Sequence, residues 1–96
     1  MNVKLSPGVL KKLKKVDVRI RNSFKERILI FTKTPRDPQL NNHKLREPYL
    51  GLRSIDITND YRAIYEEMPK GEEIIAYFSL FGTHEELYRK GAKKGN

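Results

Sequence analysis

The apolar residues of this chain change their spacing near Gly51, from every third or fourth position to every second. Upstream, one apolar set recurs with the spacing of a single helix face: Ile20, Phe24, Ile28 and Phe31. Downstream, residues 52–58 alternate between two sides, as a half-buried strand does. Helical periodicity followed by strand periodicity predicts an α+β fold, because a βαβ protein would alternate between the two along its length.

Two helices are predicted before this change. A short strand over 3–5 leads into Ser6, a good N-cap, and Pro7, whose missing N–H costs nothing at a first helical position. This helix has an apolar stripe: Val9, Leu10, Leu13 and Val16. The second helix is predicted to begin near Asp17 and to end before Pro35, because the residue that precedes a proline avoids the helical region.

Three antiparallel strands are predicted after a loop over 34–47. They cover 52–58, 61–67 and 72–81. Asn59-Asp60 tolerates positive φ and suits the first turn. Met68–Gly71 has proline second and glycine fourth, which is typical of a type I turn. We expect the helices to cover one face of the sheet and to leave the other face open.

Length and composition exclude several classes of protein. A chain of 96 residues predicts one domain over 1–96. No apolar run approaches the roughly 20 residues that cross a bilayer, and the N-terminus lacks a signal-peptide pattern, so we expect a cytoplasmic protein without a membrane partner. Without cysteine, and with only His43 and His84 as histidines, the chain is expected to hold no metal and no cofactor.

Positive charge is concentrated at the start of the chain. The formal charge is +8, and residues 1–36 contain eleven Lys or Arg against two acidic residues. Residues 37–88 are acidic in balance, and a basic tail follows: Arg89, Lys90, Lys93 and Lys94. Such an excess attracts polyanions, of which nucleic acid is the natural candidate. The alternative is that the lysines of residues 11–15 are only the solvated face of a helix.

The segment from Gly82 to Tyr88 places an imidazole at the end of an apolar strand. His84 can exchange a proton near neutral pH, because its unperturbed pKa is about 6.5. Gly82 allows a sharp turn, and Thr83 can cap a following helix. If that segment is helical, Tyr88 shares a face with His84. The alternative is a surface histidine on a terminal turn.

Five short blocks occur in order along the chain: Asp37-Pro38-Gln39-Leu40, His43-Lys44-Leu45, Arg53-Ser54-Ile55, Asp60-Tyr61-Arg62-Ala63-Ile64-Tyr65 and Gly82 to Tyr88. Together they resemble the RelE/ParE superfamily of type II toxins, closest to its YafQ-like mRNA interferase branch. The resemblance implies a small RelE-like domain, with an N-terminal strand and two helices packed on a twisted antiparallel sheet and a short C-terminal helical segment. It also implies an endoribonuclease that cuts mRNA on the ribosome without a metal and is neutralised by a cognate antitoxin.

The resemblance assigns roles residue by residue. His84 matches a histidine proposed as the general acid toward the leaving 5′ oxygen, and Arg62 matches an arginine that faces the scissile phosphate. Asp60 and His43 match positions that YafQ-like toxins use in catalysis. Four side chains are expected to bind substrate: Tyr88, Arg53, Tyr61 and Asp56. Because Asp56 and Tyr61 stand where the YafQ pattern has histidine and tryptophan, the general base stays open between His43, Asp60 and Asp56.

Such a reaction needs no metal, because the RNA 2′ hydroxyl is itself a nucleophile beside the phosphate. The protein supplies a base, a cation at the phosphorane and an acid, each proton-transfer group contributing about 10²- to 10⁴-fold. Arginine suits the phosphate because its planar fork donates parallel hydrogen bonds and keeps its charge. We further expect four lysines to bind the RNA backbone, including that of ribosomal RNA: Lys11, Lys12, Lys14 and Lys15.

Structural alternatives exist for most of these residues. Arg62 is explained equally by an ion pair with Glu66 or Asp56. His43 and Asp60 both suit turns. Three tyrosines are candidates for the core rather than for stacking on bases, Tyr65 above all: Tyr61, Tyr65 and Tyr77. At the level of function, the alternatives are a non-catalytic ParE-like inhibitor of DNA gyrase and a basic RNA-binding module.

Overall fold

One strand and two helices precede the other four strands of a five-stranded sheet, and a short helix follows them. The computed structural model describes residues 1–89, so the predicted basic tail at Lys90, Lys93 and Lys94 lies outside the described residues. The elements are β1 (Asn2–Leu5), α1 (Pro7–Lys15), α2 (Val18–Lys33), β2 (His43–Lys44), β3 (Arg53–Asp56), β4 (Tyr61–Lys70), β5 (Glu73–Thr83) and α3 (His84–Tyr88). The predicted α+β class is therefore confirmed.

The two long helices begin and end as their sequence predicts. Ser6 Oγ accepts a hydrogen bond from the backbone N–H of Val9 at 3.1 Å, which makes it the N-cap of α1. Asp17 caps α2 in the same way through the N–H of Arg19 at 2.7 Å. The second helix stops at Lys33, two residues before the proline.

The strands lie in the order β1-β5-β4-β3-β2. The predicted antiparallel meander is β3–β4–β5, and β1 extends it at one edge in parallel with β5. The prediction that 34–47 is only a loop is wrong at β2, where His43 pairs with Ser54 and Lys44 with Arg53. A two-residue strand is too short to show a periodicity, so only its pairing with β3 reveals it.

The predicted type I turn at Met68–Gly71 is also wrong. Strand β4 continues through Pro69 to Lys70, and the chain turns at Gly71 and Glu72, with Gly71 at φ +61°. Glycine takes a positive φ without steric cost. Pro69 is tolerated because β3 pairs with β4 no further than Tyr65, so no strand beside it requires its missing N–H.

The main core lies between the helices and one sheet face. Tyr65 is fully buried there, as predicted, and its ring packs edge-on against Phe31 at a centroid distance of 4.9 Å. Val9 of α1 is buried as well, whereas Leu10 of the predicted stripe is 48% exposed. Adjacent helical residues point about 100° apart, so a narrow contact buries one of the two.

The opposite sheet face is only partly open, which corrects the expectation of a bare face. A second cluster buries Leu45, Ile64 and Leu87 beneath the loop after β2 and beneath α3. Two parts of this face stay accessible, namely the end near the β3–β4 turn and the other end around Lys4, Ile75 and Tyr77. No helix within residues 1–89 has the length and apolar character to span a membrane.

Candidate active site

Helix α3 begins at His84 because a capping box fixes its first turn. Thr83 Oγ1 accepts from the N–H of Glu86 at 3.0 Å, and Glu86 Oε1 accepts from the N–H of Thr83 at 2.8 Å. A Cβ on Gly82 would stand 2.9 Å from Glu86 Oε1. Glycine at position 82 therefore lets the carboxylate fold back onto the end of β5.

His84 is exposed on the rim of the sheet, and Tyr88 lies on the same side of α3, as predicted. The two rings are 4.7 Å apart between centroids and inclined by 31°. The backbone N–H of His84 donates to the carbonyl oxygen of Asp60 at 3.0 Å, which ties the start of α3 to the β3–β4 turn. The backbone of His84 is thus fixed, and its imidazole ring stays exposed to solvent.

A second tyrosine completes this aromatic group. The ring of Tyr49 meets Tyr88 edge-on at 5.3 Å, and its hydroxyl donates to the carbonyl oxygen of Leu87. Burial raises the pKa of both phenols. For Tyr88, the neighbouring Tyr49 acts in the same direction on the pKa, and the charge of Arg62 opposes it. Both phenols are therefore protonated at neutral pH, and the Tyr49 hydroxyl acts as a donor.

Arg62 is held by the turn that precedes its strand. Its Nε lies 3.0 Å from Asp56 Oδ1, directly across from it in the sheet. Its Nη1 donates to three carbonyl oxygens of the same turn, on Thr58, Asn59 and Tyr61, at 2.9, 2.9 and 3.2 Å. Of the two predicted ion-pair alternatives, the structure contains the one with Asp56.

One nitrogen of Arg62 is left for a ligand. Within residues 1–89, Nη2 makes no hydrogen bond, whereas Nε and Nη1 are engaged. Asp56 Oδ1 is buried and accepts no hydrogen bond from the described residues, so the Arg62 charge is what compensates it. Arg62 also pairs with Gly82 across β4 and β5, which places it beside the His84–Tyr88 stack.

His43 lies on the same sheet face but at the opposite flank. It pairs with Ser54, which pairs in turn with Ile64 of the second cluster, and directly paired residues share a face. Strands are about 4.8 Å apart, so β2 stands about 10 Å from the strand of Arg62. His43 Nδ1 is 2.8 Å from the carbonyl oxygen of Asn41. Because a carbonyl only accepts, Nδ1 carries the hydrogen, so in the neutral form of the ring the lone pair lies on Nε2.

Asp60 is exposed in the β3–β4 turn, next to His84. Both residues line one open depression. The main chain of Asp60 receives the His84 N–H, and its own N–H donates to Thr58 Oγ1 at 3.2 Å. The turn role that its residue type suggests is therefore confirmed.

Two predicted substrate-binding residues, Tyr61 and Arg53, stand at strand positions that face the helices, opposite to Arg62. Tyr61 packs against Phe81 at 5.4 Å on the helix side, because its strand neighbour Arg62 takes the other face. Arg53 stands opposite Tyr65, and its Nε donates to Asn42 Oδ1 at 2.7 Å. Tyr61 nevertheless lines the same open depression as His84 and Asp60, whereas Arg53 is bonded to Asn42 on the helix side.

The predicted lysine patch divides in two. Lys11, Lys14 and Lys15 are exposed. Lys12 instead donates to Glu86 Oε2 at 2.8 Å, so it is not free for RNA. This bond is the main cause that lowers the pKa of Glu86, and the N–H of Thr83 contributes.

Sequence reasoning missed three residues of the site: Asn41, Tyr49 and Glu86. Glu86 was detectable, because Thr83-x-x-Glu86 is a capping-box pattern before an apolar residue. Tyr49 lies in a loop with no periodicity, and only its contact with Tyr88 marks it. Within residues 1–89 no group of three His, Cys, Asp or Glu side chains is placed to hold a metal ion.

This fold, with a titratable group at one end of the sheet, is that of small toxins from toxin–antitoxin systems. YafQ from E. coli strain BL21(DE3) superposes with a TM-score of 0.72 at 21% identity, over 91% of this chain and 97% of that one. A YoeB/ParE toxin from Agrobacterium tumefaciens gives 0.70 at 18% identity, over 88% and 99%. The archaeal RelE–RelB complex from Pyrococcus horikoshii OT3 gives 0.67 at 21% identity, over 85% and 92%.

The sequence itself identifies the family. Residues 3–88 match the family described as the ParE toxin of the type II toxin-antitoxin system, parDE. The chain therefore belongs to this family, and it is a type II toxin of the RelE/ParE superfamily, as predicted. Compared with curated proteins one by one, it has no significant match.

Proposed function

We propose that this toxin is a metal-independent endoribonuclease that cuts mRNA on the ribosome by attack of the 2′ hydroxyl on the adjacent phosphodiester. One observation carries the proposal. The two imidazoles of the chain flank the Arg62 guanidinium from opposite sides on one sheet face, His43 from β2 and His84 from α3. An in-line reaction needs a base and an acid on opposite sides of a bound phosphate.

Arg62 is the phosphate-binding group in this proposal. Its engaged Nε and Nη1 fix the plane of the guanidinium, and the N–H groups of Nη2 then point at the ligand without further ordering. Such preorganised donors stabilise the charge that develops on a phosphorane. The structural alternative and the catalytic role are therefore compatible, because they use different nitrogens.

His84 is the general acid and His43 the general base. His84 is exposed, and its ring packs on Tyr88, which orients it. His43 has the lone pair of Nε2 available. Asp60 is a poorer base, since it lies on the same side of Arg62 as the proposed acid.

The partners in this proposal are mRNA, the ribosome and a cognate antitoxin, all met in the cytoplasm. The E. coli DinJ–YafQ complex contains a toxin of this fold with its antitoxin, at 24% identity and a TM-score of 0.68. On this chain, an apolar groove runs between α1 and α2, which we call the helix groove. It is lined by Leu5, Leu10, Leu13, Phe24, Lys25, Ile28 and Leu29. An amphipathic antitoxin helix with an acidic border fits this surface.

Mapping of RNA 5′ ends after brief expression tests the activity. The wild type is expected to create new internal ends in messages, and His84→Ala to lose them by 10²-fold or more, because the leaving oxygen is no longer protonated. Glu85→Ala is the matched control, an exposed neighbour on α3 that should cut at the wild-type rate. DNA supercoiling is measured in the same cells. A change in supercoiling without new RNA ends would identify a ParE-like gyrase inhibitor, in line with the family description.

A further inference from the structure

Lys12 joins the first helix to the last. Its ammonium lies 2.8 Å from Glu86 Oε2, and the two side chains are 31% and 41% exposed. The ion pairs formed within residues 1–89 include no other between two helices. The contact links residues 74 positions apart, from the basic half of the chain to the segment that holds His84.

Glu86 uses both carboxylate oxygens to hold the start of α3. Oε2 meets Lys12, while Oε1 accepts from the N–H of Thr83, the residue just before His84. Helix α3 has only five residues, and a helix of that length does not hold itself in water. Its first turn, and so the orientation of His84, depends on contacts from outside.

Gly82 shows how closely this carboxylate is packed. The position of a Cβ on residue 82 lies 2.9 Å from Glu86 Oε1, so the carboxylate rests on the β5 backbone. Without Lys12, Oε2 would face solvent, and the carboxylate would gain freedom to rotate away from Thr83. The lysine thus restrains the carboxylate of Glu86, which is two residues from His84 and accepts from the N–H of Thr83, the residue just before His84.

We propose that Lys12 is a positioning residue, which acts through Glu86 to orient the His84 imidazole for proton transfer to the leaving oxygen. This inference rests on the proposed ribonuclease activity. The inference gives Lys12 a different role from that of the neighbouring lysines. Lys11, Lys14 and Lys15 are exposed, so in the proposed function they affect RNA affinity and its salt dependence, whereas Lys12 affects the chemical step.

Kinetics of ribosome-bound message cleavage test this assignment with three variants. Lys12→Met is expected to lower kcat by about 10-fold with KM unchanged, because a misplaced acid slows proton transfer after binding. Lys12→Arg keeps a cation within reach of Glu86 and should restore most of the rate. Arg19→Met is the control. This substitution removes one positive charge from α2 and an exposed ion pair with its N-cap, Asp17. The variant should keep the wild-type kcat.

A spectroscopic measurement keeps the test independent of activity. In the folded protein, the ring protons of His84 report its distance from Tyr88 through the ring current. These resonances are expected to shift in Lys12→Met and to stay in place in Lys12→Arg and Arg19→Met. Circular dichroism verifies that each variant is folded.

The outcomes separate the two proposals. A Lys12→Met protein with wild-type kcat and unshifted His84 resonances would overturn the positioning role. A loss confined to KM and salt dependence would also overturn it, since Lys12 would then bind RNA. If the wild type cuts no RNA but Lys12→Met shifts the His84 resonances, the ribonuclease proposal fails and the control of His84 by Lys12 stands.

Discussion

At the scale of single residues, Arg62 illustrates how one side chain combines a structural role with the proposed functional one. Its guanidinium closes the β3–β4 turn through Thr58, Asn59 and Tyr61 and balances Asp56. The side chains of Arg62 and Asp56 are 22% and 28% exposed, so their attraction is only partly screened by water. A residue fixed in this way meets a phosphate without paying further side-chain entropy.

Replacement of Arg62 by lysine should therefore impair both stability and cleavage. Lysine retains the charge toward Asp56 but lacks the planar fork, so we expect a loss of about 1–3 kcal/mol in the free energy of unfolding. Cleavage should fall by about 10²-fold or more, as when one preorganised donor is removed. Urea unfolding and the cleavage assay measure the two effects.

Arg53→Lys is the matched control for this substitution. Arg53 lies on the helix side of the sheet, where it bonds Asn42, so its replacement should leave the cleavage rate unchanged. Equal losses of cleavage in both variants would restore Arg53 as a substrate-binding residue and contradict the division between the faces.

At the scale of elements, α3 is held by its surroundings rather than by its own length. Leu87 is buried in the second cluster, Tyr49 donates to its carbonyl oxygen, and the capping box closes the first turn. The pKa of Glu86 is lowered by Lys12 and by the Thr83 N–H, so this carboxylate stabilises the fold in its charged form. Such a contribution is present above the unfolded pKa and is lost as pH falls through the lower, folded pKa.

Glu86→Gln should consequently reduce stability in a pH-dependent way. Glutamine keeps a capping oxygen but loses the charge, and the partly exposed pair is worth about 0.5 kcal/mol. Relative to the wild type, the loss in unfolding free energy should be complete at pH 7 and smaller at pH 3, because the contribution declines below the ordinary pKa of 4.5 and disappears as pH falls through the lower, folded pKa. The exposed Glu85→Gln serves as the control. An equal deficit at both pH values would show that the charge is irrelevant to α3.

At the scale of the whole molecule, the proposed function gives the helices and the partly open sheet face separate roles. The helices present exposed lysines and the helix groove, where Leu10 and Leu29 are 48% and 63% exposed. The opposite face holds the titratable group around Arg62. Lys12 and Glu86 connect the two sides.

Leu29→Glu should weaken antitoxin binding by about 30-fold or more and leave RNA cleavage intact. The substitution places a negative charge in the apolar groove, where it repels an acidic partner. A loss of this size is typical when a buried anchor residue of an interface is replaced. Titration calorimetry with the cognate antitoxin measures the affinity. Val18→Glu, an equally apolar position that is 59% exposed but outside the groove, is the control. If Val18→Glu and Leu29→Glu weaken binding equally, charge alone is responsible and the groove is not the antitoxin site.

The sequence by itself determined the helices, the strands other than β2, and their order. The caps at Ser6 and Asp17, the proline after α2 and the alternation around Ile55 are local signals, because capping and periodicity act within a few residues. The same ordered blocks identified the superfamily, and His84 was placed correctly at the start of α3. The prediction of one domain over 1–96 stays a prediction.

Only the tertiary structure decided which side chains share a face. Tyr61 and Arg62 are neighbours in the chain yet lie on opposite sides of the sheet, and Arg53 faces away from the candidate site. The pairing of Lys12 with Glu86 joins residues far apart in sequence, and no local pattern encodes it. Strand register and helix docking set such contacts, and both are fixed by the burial of the whole core rather than by any short segment.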